Sequence, residues 1–135
     1  MIGETPANAD SAPYWNGASE SRLMLQHCPA CGSFQFPPRH HCASCWRPEP
    51  DWRESMGSGC IESFTVVRRS PLPAYRDSVP YVVVAVILDD GPRMITNLVG
   101  DDALDAEIGD RVAICFVDDA TGRKLPQFRR SGQGT

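Results

Sequence analysis

Along this chain apolar residues fall in short runs and alternations, without the three-to-four spacing of amphipathic helices. The longest unbroken apolar run, Tyr81 to Leu88, is built almost wholly of Val, Ile and Tyr, and its eight residues suit a strand. Ile61 to Arg68 alternates and is rich in β-branched residues. Asp89-Asp90-Gly91-Pro92 is turn chemistry, which makes Arg93 to Val99 the return strand of a hairpin. Ile108-Gly109-Asp110 turns the chain into an alternating strand from Arg111 to Val117, and Thr121-Gly122 leads into a short final strand, Lys124 to Phe128. Asp101 to Glu107 reads as one or two helical turns. Five strands after Gly59, with a helical insertion before the fourth, is the order of a five-stranded Greek-key barrel of the OB type. A small sandwich would produce a similar string.

Upstream of Gly57 and Gly59 the pattern changes. Residues 1–20 form a polar leader in which Tyr14 and Trp15 anchor a short helix near Ser11 to Ser19. Arg22 to Trp52 is rich in Cys, His and Pro and reads as short strands joined by tight knuckles. Between the first two barrel strands, Ser70 to Pro80 holds three prolines in eleven residues. Long irregular connections of this kind are more often binding loops than passive linkers.

The knuckles carry the strongest chemical signal. Cys28-Pro-Ala-Cys31-Gly32 and Cys42-Ala-Ser-Cys45 are two C-x2-C pairs separated by ten residues. Two thiolates three positions apart on one tight turn reach a single ion at about 2.3 Å, and two such turns complete a tetrahedron. Four soft ligands favour zinc, with iron fitting the same cage. A cage closed by four cysteines leaves no position for water or substrate, so the expected Zn2+ is structural. His27, His40 and His41 flank the knuckles, where neighbouring or solvent roles are expected. The organisation is then a leader at 1–20, a zinc ribbon at 21–56, an OB-fold at 57–130 and a tail at 131–135.

Composition narrows the function classes. The 135 residues suit one modest domain, and 13 basic against 17 acidic residues leave a net charge of −4. Residues 101–135 hold seven acids against five bases, a poor match for phosphate neutralisation. No apolar run is long enough to span a bilayer and no secretory signal is visible, so the expected compartment is the cytoplasm. There, patterned cysteines point to metal in preference to disulfides.

Other residues carry weaker signals. Phe34-Gln35-Phe36-Pro37-Pro38-Arg39 bridges the knuckles, either covering the metal or presenting Phe36, Pro37, Pro38 and Arg39 as a ridge that docks on a partner. Arg68, Arg69 and Arg76, with Tyr75, bracket the Pro-rich loop, a cluster suited to clamping a phosphate or pyrophosphate. Cys60 and Cys115 lie outside the paired pattern, Cys115 reading as a buried small hydrophobe. The acids Asp89/Asp90, Asp101/Asp102 and Asp118/Asp119 sit beside turns and suit turn hydrogen bonding. No G-x-S-x-G, H-E-x-x-H or phosphate-cradling G-x-x-x-x-G-K occurs.

The ordered series Tyr14-Trp15, Cys28-x2-Cys31-Gly32, Phe36-Pro37-Pro38-Arg39, Cys42-x2-Cys45, Gly57 to Gly59, Pro80-Tyr81-Val82-Val83, Leu88 to Pro92, Ile108-Gly109-Asp110 and Phe128-Arg129 resembles one family. It is the family with a rubredoxin-like zinc ribbon followed by an acyl-CoA-associated OB-fold. The resemblance covers roughly residues 12–130. It implies a mainly β protein that serves as a non-catalytic accessory subunit, forming a hetero-oligomer with a thiolase-like, aldolase-like or hydratase-like acyl-CoA enzyme. It further implies stabilising that enzyme, shaping its acyl channel, and holding the CoA thioester. Two readings compete: a single-stranded nucleic-acid module, which the negative charge opposes, and a stand-alone thioesterase or acyltransferase using Cys60 with His40 or His41.

Overall fold

The computed structural model describes residues 11–69, 79–119 and 121–131. The first element is helix α1 (Ala12–Ser19), with Pro13 in its opening turn, where a missing amide proton costs no helical hydrogen bond. The helix buries Tyr14 and Ala18 and lays Trp15 under the Arg123 guanidinium, 4.1 Å from the ring centroid. It thereby bridges the ribbon and the last barrel hairpin.

Three short strands follow: β1 (Met24–His27), β2 (Phe34–Gln35) and β3 (Asp51–Glu54), antiparallel in the order β2-β1-β3. Leu23 and Leu25 are buried here and belong to the same apolar cluster as the barrel interior. The barrel comprises β4 (Ser58–Val67), β5 (Tyr81–Leu88), β6 (Arg93–Val99), β7 (Arg111–Asp118) and β8 (Lys124–Arg130), closed in the order β4-β5-β6-β8-β7. All its pairings are antiparallel except β6 with β8. This is the five-stranded OB barrel expected from the strand order, and it excludes the sandwich.

Alternation drives closure: Val82, Val84, Val86 and Leu88 of β5 point inward with Ile61, Met94, Leu98, Val112 and Phe128. The seam between β4 and β7 is short, spanning Ser58↔Ala113 to Cys60↔Arg111. A side chain at Gly59 would strike the Ile87 carbonyl oxygen and the Val86 side chain, so glycine permits β4 to lie this close against β5 as it reaches the seam. Asp89 locks this seam, accepting two hydrogen bonds from Arg111 (3.0 and 2.6 Å) and one from Ser58 (2.7 Å).

Some boundaries differ from the sequence reading. β4 begins at Ser58, three residues before Ile61, because its first residues pair with both β5 and β7. β8 extends to Arg130, whose side chain is tied to Asp110 at 3.0 Å. The insertion before β7 is a single 3-10 turn, Ala103–Asp105. Residues 70–78 of the Pro-rich connection lie outside the described residues.

Candidate metal centre

The two knuckles have matching backbone. In the first, the Gly32 amide donates to the Cys28 carbonyl (2.7 Å) and the Cys28 amide to the Ser33 carbonyl (2.9 Å). In the second, Trp46 donates to Cys42 (2.9 Å) and Cys42 to Arg47 (2.8 Å). These turns bring the four thiols together. Sγ of Cys28 and Cys45 are 3.6 Å apart, those of Cys31 and Cys42 are 3.7 Å apart, and all four lie within 4.8 Å of one another. A tetrahedral ion with bonds of about 2.3 Å requires sulfur separations of about 3.8 Å, so the cage fits zinc.

The amides of Ser44 and Cys45 point at Cys42 Sγ from 3.3 and 3.4 Å, and that of Cys45 does most to lower the Cys42 pKa. Hydrogen bonding with the Ser33 hydroxyl, then its backbone, lowers Cys31 to about 6. The Arg47 amide pulls Cys45 down, but burial and the neighbouring sulfurs outweigh it and hold Cys45 at about 11. A divalent cation supplies the charge that lets all four ionise together. The rubredoxin-like zinc ribbon thus has four cysteines positioned to bind a metal ion, as structural zinc requires. When bound, the ion cross-links the knuckles and leaves no open coordination position.

The histidines stay out of the cage. His27 pairs with Asp51 across β1 and β3 at 3.1 Å and packs at a tilt against the Phe34 ring, while His40 and His41 lie against each other. Two glutamines that sequence reasoning passed over hold the second knuckle. Gln26 is buried, donates to the Arg39 carbonyl (2.6 Å) and accepts from the Arg39 amide (2.7 Å). Gln35 donates to Gln26 and to the His41 carbonyl and accepts from the Ala43 amide. The two stand opposite each other across β1 and β2, a register that no local pattern in the sequence shows.

The bridging ridge is divided. Phe36 packs on Tyr14 with ring centroids 5.4 Å apart, Pro38 is half-buried, and Pro37 and Arg39 are exposed. Arg68 and Arg69 are exposed just beyond β4, whereas Tyr75 and Arg76 lie outside the described residues. Cys60 accepts a hydrogen bond from Arg111 at 3.2 Å. Among the described residues no hydrogen bond joins it to His40 or His41, and no nucleophile–base pair is assembled there. Cys115 is half-buried and not enclosed, because the inward positions of β7 are Val112, Ile114 and Phe116; burial still raises its pKa. Asp119 accepts from the Thr121 and Arg123 amides as a turn residue should. Asp118 and Asp102 instead pair with Lys124 and Arg130.

Residues 15–51 match the rubredoxin-like zinc ribbon domain of ChsH2, and residues 52–117 match the C-terminal OB-fold domain of ChsH2. The chain belongs to the ChsH2 (DUF35) family. A probable enoyl-CoA hydratase alpha subunit of Thermomonospora curvata is 36% identical over 122 residues, covering 90% of this chain and 38% of that protein. The chain therefore spans less than half the length of that relative. A DUF35 domain-containing scaffold protein of Methanothermobacter thermautotrophicus is 36% identical over 95 residues, 70% of this chain and 71% of the relative. A solved structure described as an Ltp2-ChsH2(DUF35) aldolase contains a chain 35% identical with a TM-score of 0.83, covering 94% of this chain and 98% of that one. In this ChsH2-type chain no helix among the described residues is long and apolar enough to cross a membrane.

Proposed function

We propose that the chain is a non-catalytic accessory subunit of an aldolase-, hydratase- or thiolase-like acyl-CoA enzyme, stiffened by zinc at Cys28, Cys31, Cys42 and Cys45 and docked on the catalytic subunit in the cytoplasm. The observation that carries this reading is the outer face of β5. A barrel strand facing water normally alternates apolar inward and polar outward residues. Here the outward residues Tyr81, Val83, Ala85 and Ile87 are also apolar, and all four are half-buried. Register sets Ile95 of β6, 68% exposed, beside Ala85, and Val67 of β4 beside Tyr81. This leaves an unbroken apolar stripe along β5, bordered by Ser63 and Thr65 on one side and Arg93 and Asn97 on the other, and an apolar stripe with a polar rim suits a protein interface. Relatives named as a hydratase alpha subunit, a scaffold protein and part of an aldolase support the same assignment.

The CoA thioester is held at the edge of this face. Arg68 and Arg69 follow β4 there, exposed and without an ion pair among the described residues, and guanidinium forks match the phosphates of CoA. Pantetheine then lies along the apolar strand towards the active site of the partner.

Co-expression with candidate aldolase, hydratase and thiolase subunits that act on acyl-CoA, followed by size-exclusion chromatography, tests the reading. The wild-type chain co-elutes with one such subunit, Ile95→Asp elutes alone, and Arg68→Ala with Arg69→Ala weakens acyl-CoA retention by the complex. A chain that remains apart from every such subunit, or that turns over acyl-CoA unaided, overturns it.

A further inference from the structure

The knuckles match in backbone but differ sharply in the residue that follows the second cysteine. After the second cysteine of each, the backbone turns through the left-handed region, at φ 78° in Gly32 and 67° in Trp46. Glycine adopts that conformation without steric cost, whereas a bulky residue there is a genuine outlier. Burial does not compensate Trp46, since its residue is 76% exposed and stands outside the apolar core cluster. Its ring contact with exposed His41 is loose, centroids 6.3 Å apart, which is little return for a side chain held at a steric cost, and such outliers point towards function.

The surroundings of the indole are shaped and rigid. A hollow of about 250 Å³ is lined by Trp46, Arg39, His40, His41, Ala43 and buried Cys42. Its Arg39 edge is clamped at both backbone atoms by Gln26, and the Ala43 amide and His41 carbonyl are clamped by Gln35. The chain as a whole carries −4, yet residues 39–50 carry Arg39 and Arg47 against the single acid Glu49. Both arginines are exposed, and neither has a carboxylate partner among the described residues.

We infer that Trp46 and this hollow form an anchoring contact for the catalytic subunit, receiving an apolar side chain framed by carboxylates. The inference rests on the accessory-subunit reading and names a second place where that partner is gripped. Tryptophan and arginine are the residues most enriched where binding energy concentrates, and a preorganised backbone lowers the ordering cost of association. Carboxylates on the partner complement Arg39 and Arg47, whose charge is opposite in sign to that of the chain.

The test uses the zinc-loaded full chain and the acyl-CoA enzyme subunit with which it co-elutes. Trp46→Gly, and Trp46→Asn as a second residue at ease in left-handed backbone, retain one zinc per chain and melt no lower than wild type. Their affinity for the subunit, read by calorimetry, falls at least tenfold. Arg39→Glu with Arg47→Glu weakens binding further and flattens its salt dependence. Variants that lose zinc or melting temperature while binding unchanged assign Trp46 to ribbon stability and overturn the inference. Wild-type binding that both Trp46 variants leave intact overturns this inference alone, whereas absence of wild-type binding overturns the accessory-subunit reading and this inference with it. Self-association, or retention on single-stranded nucleic acid, that disappears in Trp46→Gly also overturns it by naming a different occupant.

Discussion

The ribbon and the barrel solve the same problem by different physics. In the barrel, strands of seven to ten residues alternate around a closed interior, and Phe128, Val84 and Val86 are fully enclosed. In the ribbon, strands of four, two and four residues bury little beyond Leu25, Gln26 and half of the thiols. A segment that small cannot remove enough apolar surface from water to offset chain entropy, so a metal cross-link supplies the order. Burial organises one region and coordination the other. The two meet where Leu23 and Leu25 enter the barrel cluster and where the Ser55 hydroxyl donates to Asp90 and accepts from the Gly57 amide.

The hardest blow to this contrast is removal of the metal. Chelation, or Cys28→Ser with Cys42→Ser, is expected to abolish amide protection across β1–β3 while β5, β7 and β8 stay protected, as read by hydrogen exchange. Apparent zinc-binding free energies in small finger peptides run to about 10–16 kcal/mol, enough to account for the whole order of such a segment. Ribbon amides that stay protected without metal would make Leu23, Leu25 and the barrel the true support. The converse blow is Phe128→Ala, expected to destabilise the chain by about 3–5 kcal/mol in denaturant titration while leaving zinc stoichiometry unchanged. Loss of zinc in that variant would mean that the regions fold as one unit.

The smallest effect sharpens the picture of the barrel seam. Hydrogen bonds from Arg111, then Ser58, hold Asp89 at about 2, below its ordinary 3.8. A carboxyl whose folded pKa is depressed stabilises the fold fully above its unfolded pKa, and the contribution fades as pH falls through the folded value. The melting-temperature difference between wild type and Asp89→Asn is therefore expected to be constant above about pH 5 and to shrink towards pH 2. The pair is partly exposed, so the difference stays well below that of Phe128→Ala. A difference that persists unchanged to pH 2 would show that the charge on Asp89 contributes nothing, and no difference at any pH would assign the seam to its backbone ladder alone.

Much of this was legible before any coordinates. The runs at 81–88 and 93–99 coincide with β5 and β6, and the helix near Ser11 to Ser19 coincides with α1 within a residue. Each signal is local: alternation, turn chemistry, or apolar residues within one element. The four-cysteine cage was equally legible, because chelate spacing is written into a few consecutive residues. Less legible was Phe36, which packs on Tyr14 twenty-two positions earlier, and Cys60, whose neighbour proved to be Arg111 and not a histidine. The start of β4 was hidden because Ser58 and Gly59 carry no strand pattern of their own, and their pairing with β5 and β7, like the Ser58 bond to Asp89, joins residues far apart in the chain.

The amino-acid order alone settled the succession of elements, the sulfur ligand set and the strand that is apolar on both sides, since each follows from spacing within a short stretch of chain. Tertiary structure decided which chemistry meets which. It closed the barrel through Asp89 and Arg111, clamped the second knuckle with Gln26 and Gln35, and left Trp46 in solvent over a shaped hollow. Those outcomes depend on strand register and on contacts between residues far apart in the chain, and no local pattern encodes them.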